Sequence, residues 1–251
     1  MEKVKIPNSS GKNISAVTDY PKTKTDKLAI LCPGYLDSKD YSHLVGLAKT
    51  LATHGYTAVR FDPTGTWESD GDISDYTTTQ YLDDIKSVLD FMLAQHTYTH
   101  ILLGGHSRGG QLSILYAARD PRISLVLAIM PSSARTFVGS RREEWQKTGV
   151  SISQRDLPDK TGSKEFRIPY SHVLDRDKYD VVKDVARVHV PLILITGELD
   201  TVVLPKYVKE IFDAANEPKQ FISIPGIGHD YRHNAKEIDN VNAQIIKALS
   251  K

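Results

Sequence analysis

An α/β architecture, a mostly parallel central sheet flanked by helices, is predicted by two features of this 251-residue chain. Short apolar runs ending in turn residues alternate with stretches of helical spacing, and the runs are apolar nearly throughout rather than at every second residue. Strands read that way when both faces of their sheet are covered, and crossover helices are what cover a parallel sheet. A third feature, a glycine-flanked serine between one such run and one such helical stretch, puts a sharp strand-to-helix turn inside the pattern.

In chain order, Lys3 to Ile6 and Asn13 to Tyr20 flank the turn formers Asn8-Ser9-Ser10-Gly11 and predict an N-terminal hairpin. Six buried strands follow: Leu28 to Cys32, Thr57 to Phe61, Ile101 to Leu103, Leu125 to Met130, Leu192 to Thr196 and Phe221 to Ile224. Between them Tyr81, Ile85, Val88, Leu89 and Met92 recur on one helical face, and Ile238, Val241, Ile245, Ile246 and Leu249 do so near the end. From Met130 to Leu192 the rhythm breaks into a long polar stretch carrying Trp145, Phe166, Tyr170 and Tyr179 among many charges. Its centre, approximately residues 134–188, is read as an insertion with partial secondary structure, placed over the functional edge of the sheet. The whole chain, 1–251, is expected to be a single domain with one hydrophobic core.

Composition narrows the function classes. Hydrophobic residues at 40% and charged residues at 25% are globular values, which argues against disorder and fibrous repeats. The formal net charge is +1 with Lys and Arg scattered, so no phosphate-tracking stripe is present and nucleic acid is not an expected partner. Cys32 is the only cysteine, which excludes an internal disulfide or Cys-rich zinc site and suits a reducing compartment. No apolar run follows Met1-Glu2-Lys3-Val4-Lys5-Ile6-Pro7, and nowhere do about 18 apolar residues run together. Neither a signal peptide nor a membrane span is expected, and the chain reads as cytoplasmic.

The chemistry is carried by Ile101-Leu102-Leu103-Gly104-Gly105-His106-Ser107-Arg108-Gly109-Gly110, running on into Leu112, Ile114, Leu115 and Ala118. A G-x-S-x-G pattern is short enough to arise by chance, but here it has the strand, turn and helix that its mechanism requires. Gly105 and Gly109 remove Cβ atoms that would collide in so sharp a turn, and Ser107 is pushed out as a candidate nucleophile. The amide of Arg108, at a helix N-terminus, is a candidate donor to the oxyanion that forms on a carbonyl under attack. The rival reading is a glycine-rich turn in which the serine merely caps a helix.

A serine hydroxyl needs a positioned base, and nine histidines compete for that place. With such an elbow the chain order is nucleophile, acid, histidine, the last two after later strands. His229 fits, in the loop Pro225-Gly226-Ile227-Gly228-His229-Asp230 before the last helix. Asp200 fits as the orienting carboxylate, since Gly197-Glu198-Leu199-Asp200 turns out of the run Leu192 to Thr196 before Pro205 opens a helix. Glu198 is the weaker rival, and a turn-forming or salt-bridging Asp200 is the alternative. His43, His54, His96, His100, His172 and His189 lack the spacing of a zinc helix and are read as structural or surface. His106 is expected, by strand alternation, to point away from the nucleophile. After Leu28 to Cys32, the loop Pro33-Gly34-Tyr35-Leu36 offers the Tyr35 amide as second oxyanion donor, against the reading of a plain loop.

These motifs resemble the α/β-hydrolase superfamily, and within it small serine esterases of the cinnamoyl (feruloyl) esterase and monoacylglycerol lipase type. The likeness spans nearly the whole chain and includes Arg60-Phe61-Asp62-Pro63-Thr64-Gly65-Thr66-Trp67-Glu68-Ser69-Asp70-Gly71, where Pro63, Thr64 and Trp67 depart from the family pattern. The resemblance implies an α/β-hydrolase fold and makes the insertion a small lid over the acyl side of the site. Trp145, Phe166 and Tyr170 are then candidate lining residues for an apolar or aromatic acyl group, although insertion aromatics more often form a miniature core. The expected activity is that of a carboxylesterase on a small-molecule ester through an acyl-enzyme, with no metal and no organic cofactor. A thioesterase, acyltransferase or small peptidase with the same triad, or a non-catalytic ligand-binding member of the fold, are the alternatives.

Overall fold

The computed structural model describes residues 1–133 and 140–250, the side chains of 140 and 141 excepted. β1 (Glu2–Pro7) and β2 (Asn13–Asp19) form the expected hairpin, antiparallel from Glu2 opposite Thr18 to Pro7 opposite Asn13. β3 (Lys27–Cys32), β4 (Thr57–Phe61), β5 (His100–His106) and β6 (Leu125–Ile129) follow. β7 (Val150–Asp156) and β8 (Ser163–Pro169) pair with each other in the insertion, and β9 (Leu192–Gly197) and β10 (Lys219–Ile224) resume the sheet. The eight-stranded sheet has the order β1-β2-β4-β3-β5-β6-β9-β10. Pairing is antiparallel from β1 to β2 and from β2 to β4, and parallel across the rest. The chain has the α/β-hydrolase fold.

Among the described residues, eight α-helices accompany the strands: α1 (Ser42–Thr53), α2 (Thr78–Gln95), α3 (Arg108–Ala117), α4 (Ser140–Thr148), α5 (Ser171–Arg176), α6 (Val181–Asp184), α7 (Pro205–Ala214) and α8 (Ala235–Leu249). The sheet divides the apolar interior in two, so the single core expected from chain length is in fact a pair of layers. Alternation along β3 sends Leu28, Ile30 and Cys32 to one layer and Ala29 and Leu31 to the other. Tyr81, Ile85, Val88, Leu89 and Met92 of α2 fill the first layer, while Ile238, Val241 and Ile245 of α8 join Leu44, Leu47 and Leu51 of α1 in the second. Each such side chain contributes roughly 1.5–3 kcal/mol by leaving water. Ile246 and Leu249 lie at the edge of that layer, only partly buried.

The insertion is tied to the body rather than suspended from it. Trp145, Phe166, Ile168, Val173, Val181 and Val185 extend the first apolar layer. Tyr41 Oη donates to the Asp156 carbonyl at 2.7 Å, and the Asp175 carboxylate accepts from the Thr79 amide at 2.9 Å and its hydroxyl at 2.6 Å. Residues 134–139, where the insertion was expected to begin, lie outside the described residues.

The loop after β4 is held by buried charge. Lys39, wholly inaccessible to solvent, pairs with Asp62 at 2.8 Å, Glu68 at 2.7 Å and Asp40 at 3.1 Å. Trp67, one of the departures from the family pattern, sits at φ 42, donates through its indole to the Leu36 carbonyl at 3.1 Å and meets the Phe166 ring edge-on at 5.4 Å. It joins the loop to the β7–β8 hairpin.

Candidate active site

Ser107 occupies the turn between β5 and α3 at φ 55 and ψ −116, a backbone conformation that L-residues rarely adopt. The strain is sustained by close packing. A Cβ on Gly105 would lie 2.2 Å from the Cys32 carbonyl oxygen, and one on Gly109 would lie 2.0 Å from the same atom. The Ser107 amide donates to the Ile129 carbonyl at 2.8 Å, which pins the turn to the end of β6.

His229 comes from the loop after β10 and Asp200 from the loop after β9, and the parallel sheet brings both to the edge where Ser107 stands. His229 Nε2 lies 3.0 Å from Ser107 Oγ, and His229 Nδ1 lies 2.7 Å from Asp200 Oδ2. A carboxylate can only accept at Nδ1, so that nitrogen carries the proton and Nε2 is left as acceptor for the serine hydroxyl. Asp200 is buried at 2% exposure, and its other oxygen accepts from the amides of Val202 at 2.9 Å and Val203 at 2.7 Å. Glu198, two residues earlier, points to solvent.

His106 follows the alternation of β5 onto the face where the rings of His43 and Tyr231 meet its own at 5.5 and 5.3 Å. Its ring lies 4.6 Å from that of His229 and contributes to the cavity wall beside Ser107. Behind His106, the described residues hold a group of three possible metal ligands, Asp37, His43 and His106, with ligand atoms within 4.8 Å of one another. Asp37 there already pairs with Arg232 through Oδ1. Burial lowers His43 to about 3, and lowers His106, so both rings are neutral. Burial raises Asp37, but the charge of Arg232 and the neighbouring His106 outweigh it and hold the carboxyl well below the usual carboxylate range. Both ring nitrogens of His43 and of His106 are buried without a hydrogen-bond partner among the described residues.

A cavity of about 320 Å³ opens over Ser107. Tyr35 and Arg108, the two residues expected to offer oxyanion amides, both line it. Trp145, Phe166 and Tyr170 do not. Trp145 is buried with its indole N–H on the Ile168 carbonyl at 2.9 Å, Phe166 packs against Trp67, and Tyr170 meets the Trp145 ring at 6.5 Å. They pack the insertion onto the body as part of the first apolar layer.

The described insertion residues that do reach the cavity are Ser153 and Arg155 of β7 and His172 and Arg176 of α5. None of the four stood out in the sequence. His172, read there as structural or surface, is buried and stacks on Trp145 at 5.9 Å. Its Nδ1 donates to the Tyr76 carbonyl at 2.7 Å, and its Nε2 accepts from Arg108 Nη1 at 2.6 Å. Burial, with the Arg108 charge adding to it, pushes its pKa well below the ordinary histidine value, consistent with this neutral tautomer. Polar residues scattered through a charged segment carry no periodic signal, so only their convergence in space reveals them.

With this geometry in place, comparison with known proteins is informative. The Hydrolase_4 family model, described as serine aminopeptidase, S33, matches residues 23–160. The mouse (Mus musculus) protein named palmitoyl-protein thioesterase ABHD10, mitochondrial, is 26% identical over 207 residues, covering 81% of this chain and 66% of that protein. Its rat (Rattus norvegicus) counterpart is 26% identical over 178 residues, covering 69% of this chain and 59% of that protein, so the chain spans less than two thirds of the length of these relatives. Among solved structures, Est1E from Butyrivibrio proteoclasticus with bound ferulic acid superposes with a TM-score of 0.77 at 23% identity, over 99% of this chain and 100% of that one. The α/β hydrolase GrgF from Penicillium sp. sh18 gives a TM-score of 0.83 at 20% identity, over 97% and 96%. At these identities the superpositions speak to fold. No helix among the described residues is long and apolar enough to cross a membrane.

Proposed function

This chain belongs to the Hydrolase_4 (serine aminopeptidase, S33) family and is a serine hydrolase, and we propose that it hydrolyses small carboxylic esters through an acyl-enzyme on Ser107. The observation that carries this reading is the unbroken path from Ser107 Oγ to His229 Nε2 at 3.0 Å and from His229 Nδ1 to Asp200 at 2.7 Å. As Ser107 attacks the ester carbonyl, its proton passes to His229, and Asp200 stabilises the imidazolium that results. The amides of Tyr35 and Arg108 receive the oxyanion, each worth roughly 2.7–4 kcal/mol in the transition state. His229 then protonates the departing alcohol, and water activated by the same histidine releases the acid. The insertion acts as a lid, supplying one wall of the cavity.

Small substrates are favoured by the wall itself. Among the described residues that line the cavity, Val202 is the only aliphatic side chain, and about 320 Å³ is near the low end of ligand sites, which run from roughly 300 to 1,000 Å³. That surface offers little to a palmitoyl chain. A thioester of a small acid is the second reading, supported by the name of the mammalian relatives, since the triad does not choose the leaving group. A cytoplasmic location is proposed from the lone cysteine, whereas those relatives are named mitochondrial. Cell fractionation separates the two.

The test is labelling with a fluorophosphonate followed by peptide mass spectrometry. The adduct is expected on Ser107 of the folded protein and is expected to vanish in His229→Ala. A folded protein that takes up no probe would overturn the catalytic reading in favour of a ligand-binding member of the fold. Rates on matched ester, thioester and amide substrates then identify the leaving group.

A further inference from the structure

Four arginines, Arg108, Arg155, Arg176 and Arg232, line the cavity over Ser107. The carboxylates in the same wall, Asp37 and Asp230, both pair with Arg232, the second at 3.4 Å. The negative charge of the wall is therefore spent on one arginine, and the other three come from the opposite side, from α3 and the insertion.

The side chain of Arg108 is held from several sides. It is 5% exposed, its guanidinium sits 4.3 Å above the Tyr76 ring, and Nη1 donates to neutral His172. Its Nη2 is buried without a hydrogen-bond partner. Arg155 Nε is likewise buried and unpartnered, and its guanidinium lies 5.9 Å from the Tyr35 ring, which Arg108 approaches at 5.8 Å. Neither arginine forms an ion pair among the described residues. Arg176 adds a third positive charge, and burial together with Arg108 pushes its pKa down to about 10. Buried donors on cationic groups cost free energy unless something accepts from them. Planar guanidiniums are matched in shape and charge by a carboxylate.

We propose that the substrate of this hydrolase carries a carboxylate, bound by Arg108 and Arg155 with Arg176 nearby, within one cavity length of the ester group that Ser107 attacks. This assignment rests on the serine hydrolase reading above and adds the class of substrate. His172 is a positioning residue in it: as a neutral acceptor fixed by the Tyr76 carbonyl, it holds Nη1 and with it the guanidinium of a cavity-lining arginine.

The experiment compares charged and neutral esters of matched size. On the acyl side, mono-4-nitrophenyl glutarate is set against 4-nitrophenyl pentanoate; on the alcohol side, 3-carboxyphenyl butanoate is set against phenyl butanoate. The expected result is that kcat/KM favours the charged member of one pair by at least about tenfold, the worth of one charge-assisted hydrogen bond. That ratio should collapse towards one in Arg155→Gln and return in Arg155→Lys, and Arg108→Gln should act in the same direction if it folds. Equal rates within both pairs, or a preference untouched by Arg155→Gln, would overturn the proposal. Fluorophosphonate labelling of Ser107 in the same preparations keeps the two readings apart: labelling without charge preference removes the carboxylate alone, and loss of labelling removes the hydrolase.

Discussion

Asp200 Oδ2 accepts from His229 Nδ1 at 2.7 Å while Asp200 Oδ1 is fixed by two backbone amides, so the carboxylate that orients the histidine is itself immobile. Glu198 shares its loop but faces solvent. In Asp200→Asn the amide can present its N–H to Nδ1 and stabilise the wrong tautomer, and kcat is expected to fall by about four orders of magnitude. Glu198→Gln should stay within about twofold of wild type, the scale of an exposed charge far from the reacting atoms. Steady-state kinetics on a 4-nitrophenyl ester decide the matter, and the opposite ranking would transfer the role to Glu198.

Gly109 is confined by backbone on two sides, with the Cys32 and Pro33 carbonyl oxygens 2.0 and 2.7 Å from where a Cβ would stand. Neither can retreat without opening the end of β3. Gly109→Ala should cost more than about 3 kcal/mol in chemical denaturation, beyond the usual range for an added methyl group. Gly162→Ala, whose Cβ would meet only a Leu157 methyl at 3.6 Å, should change stability by less than about 1 kcal/mol. Comparable losses in both would refute the packing account of the turn.

Lys39 and Asp62 are both inaccessible to solvent and 2.8 Å apart. Removing the cation leaves a carboxylate that burial already biases toward its protonated form. Lys39→Met is therefore expected to lose about 3–5 kcal/mol, and Lys39→Met/Asp62→Asn to recover a measurable part of it. A double variant no better than the single one would show that the lysine acts through Glu68 and Asp40 instead.

His43 is buried and titrates at about 3 in the native protein, against about 6.5 in an unfolded chain. Below pH 6.5 the unfolded chain takes up a proton at this position that the native state refuses, so the stability attached to it is lost as pH falls. Relative to His43→Leu, the wild type should lose about 2 kcal/mol between pH 7.5 and pH 5. Denaturant melts of both proteins across that range measure the difference directly. A constant gap would mean that the ring titrates alike in both states, and a wild type that gains on the variant as pH falls would mean an ion pair with Asp37.

Local chemistry made the order of strands and helices, the sharp turn at Ser107 and the places of Asp200 and His229 legible in the sequence. Apolar runs, helical periods and turn residues each act over a few positions, and a triad in which each member follows a strand inherits that legibility. The cavity wall had no such signature. Arg155, His172 and Arg176 are polar residues in a polar insertion, and their meeting with Arg108 depends on how α5 settles on α2 and β8 on Trp67 and residues 73–75, which no short-range pattern encodes. The same limit sent Trp145, Phe166 and Tyr170 to the wrong place. Chemistry at the nucleophile is written in neighbouring residues, whereas the charge that chooses a substrate is summed over residues distant in the chain and becomes a property of the molecule only after packing.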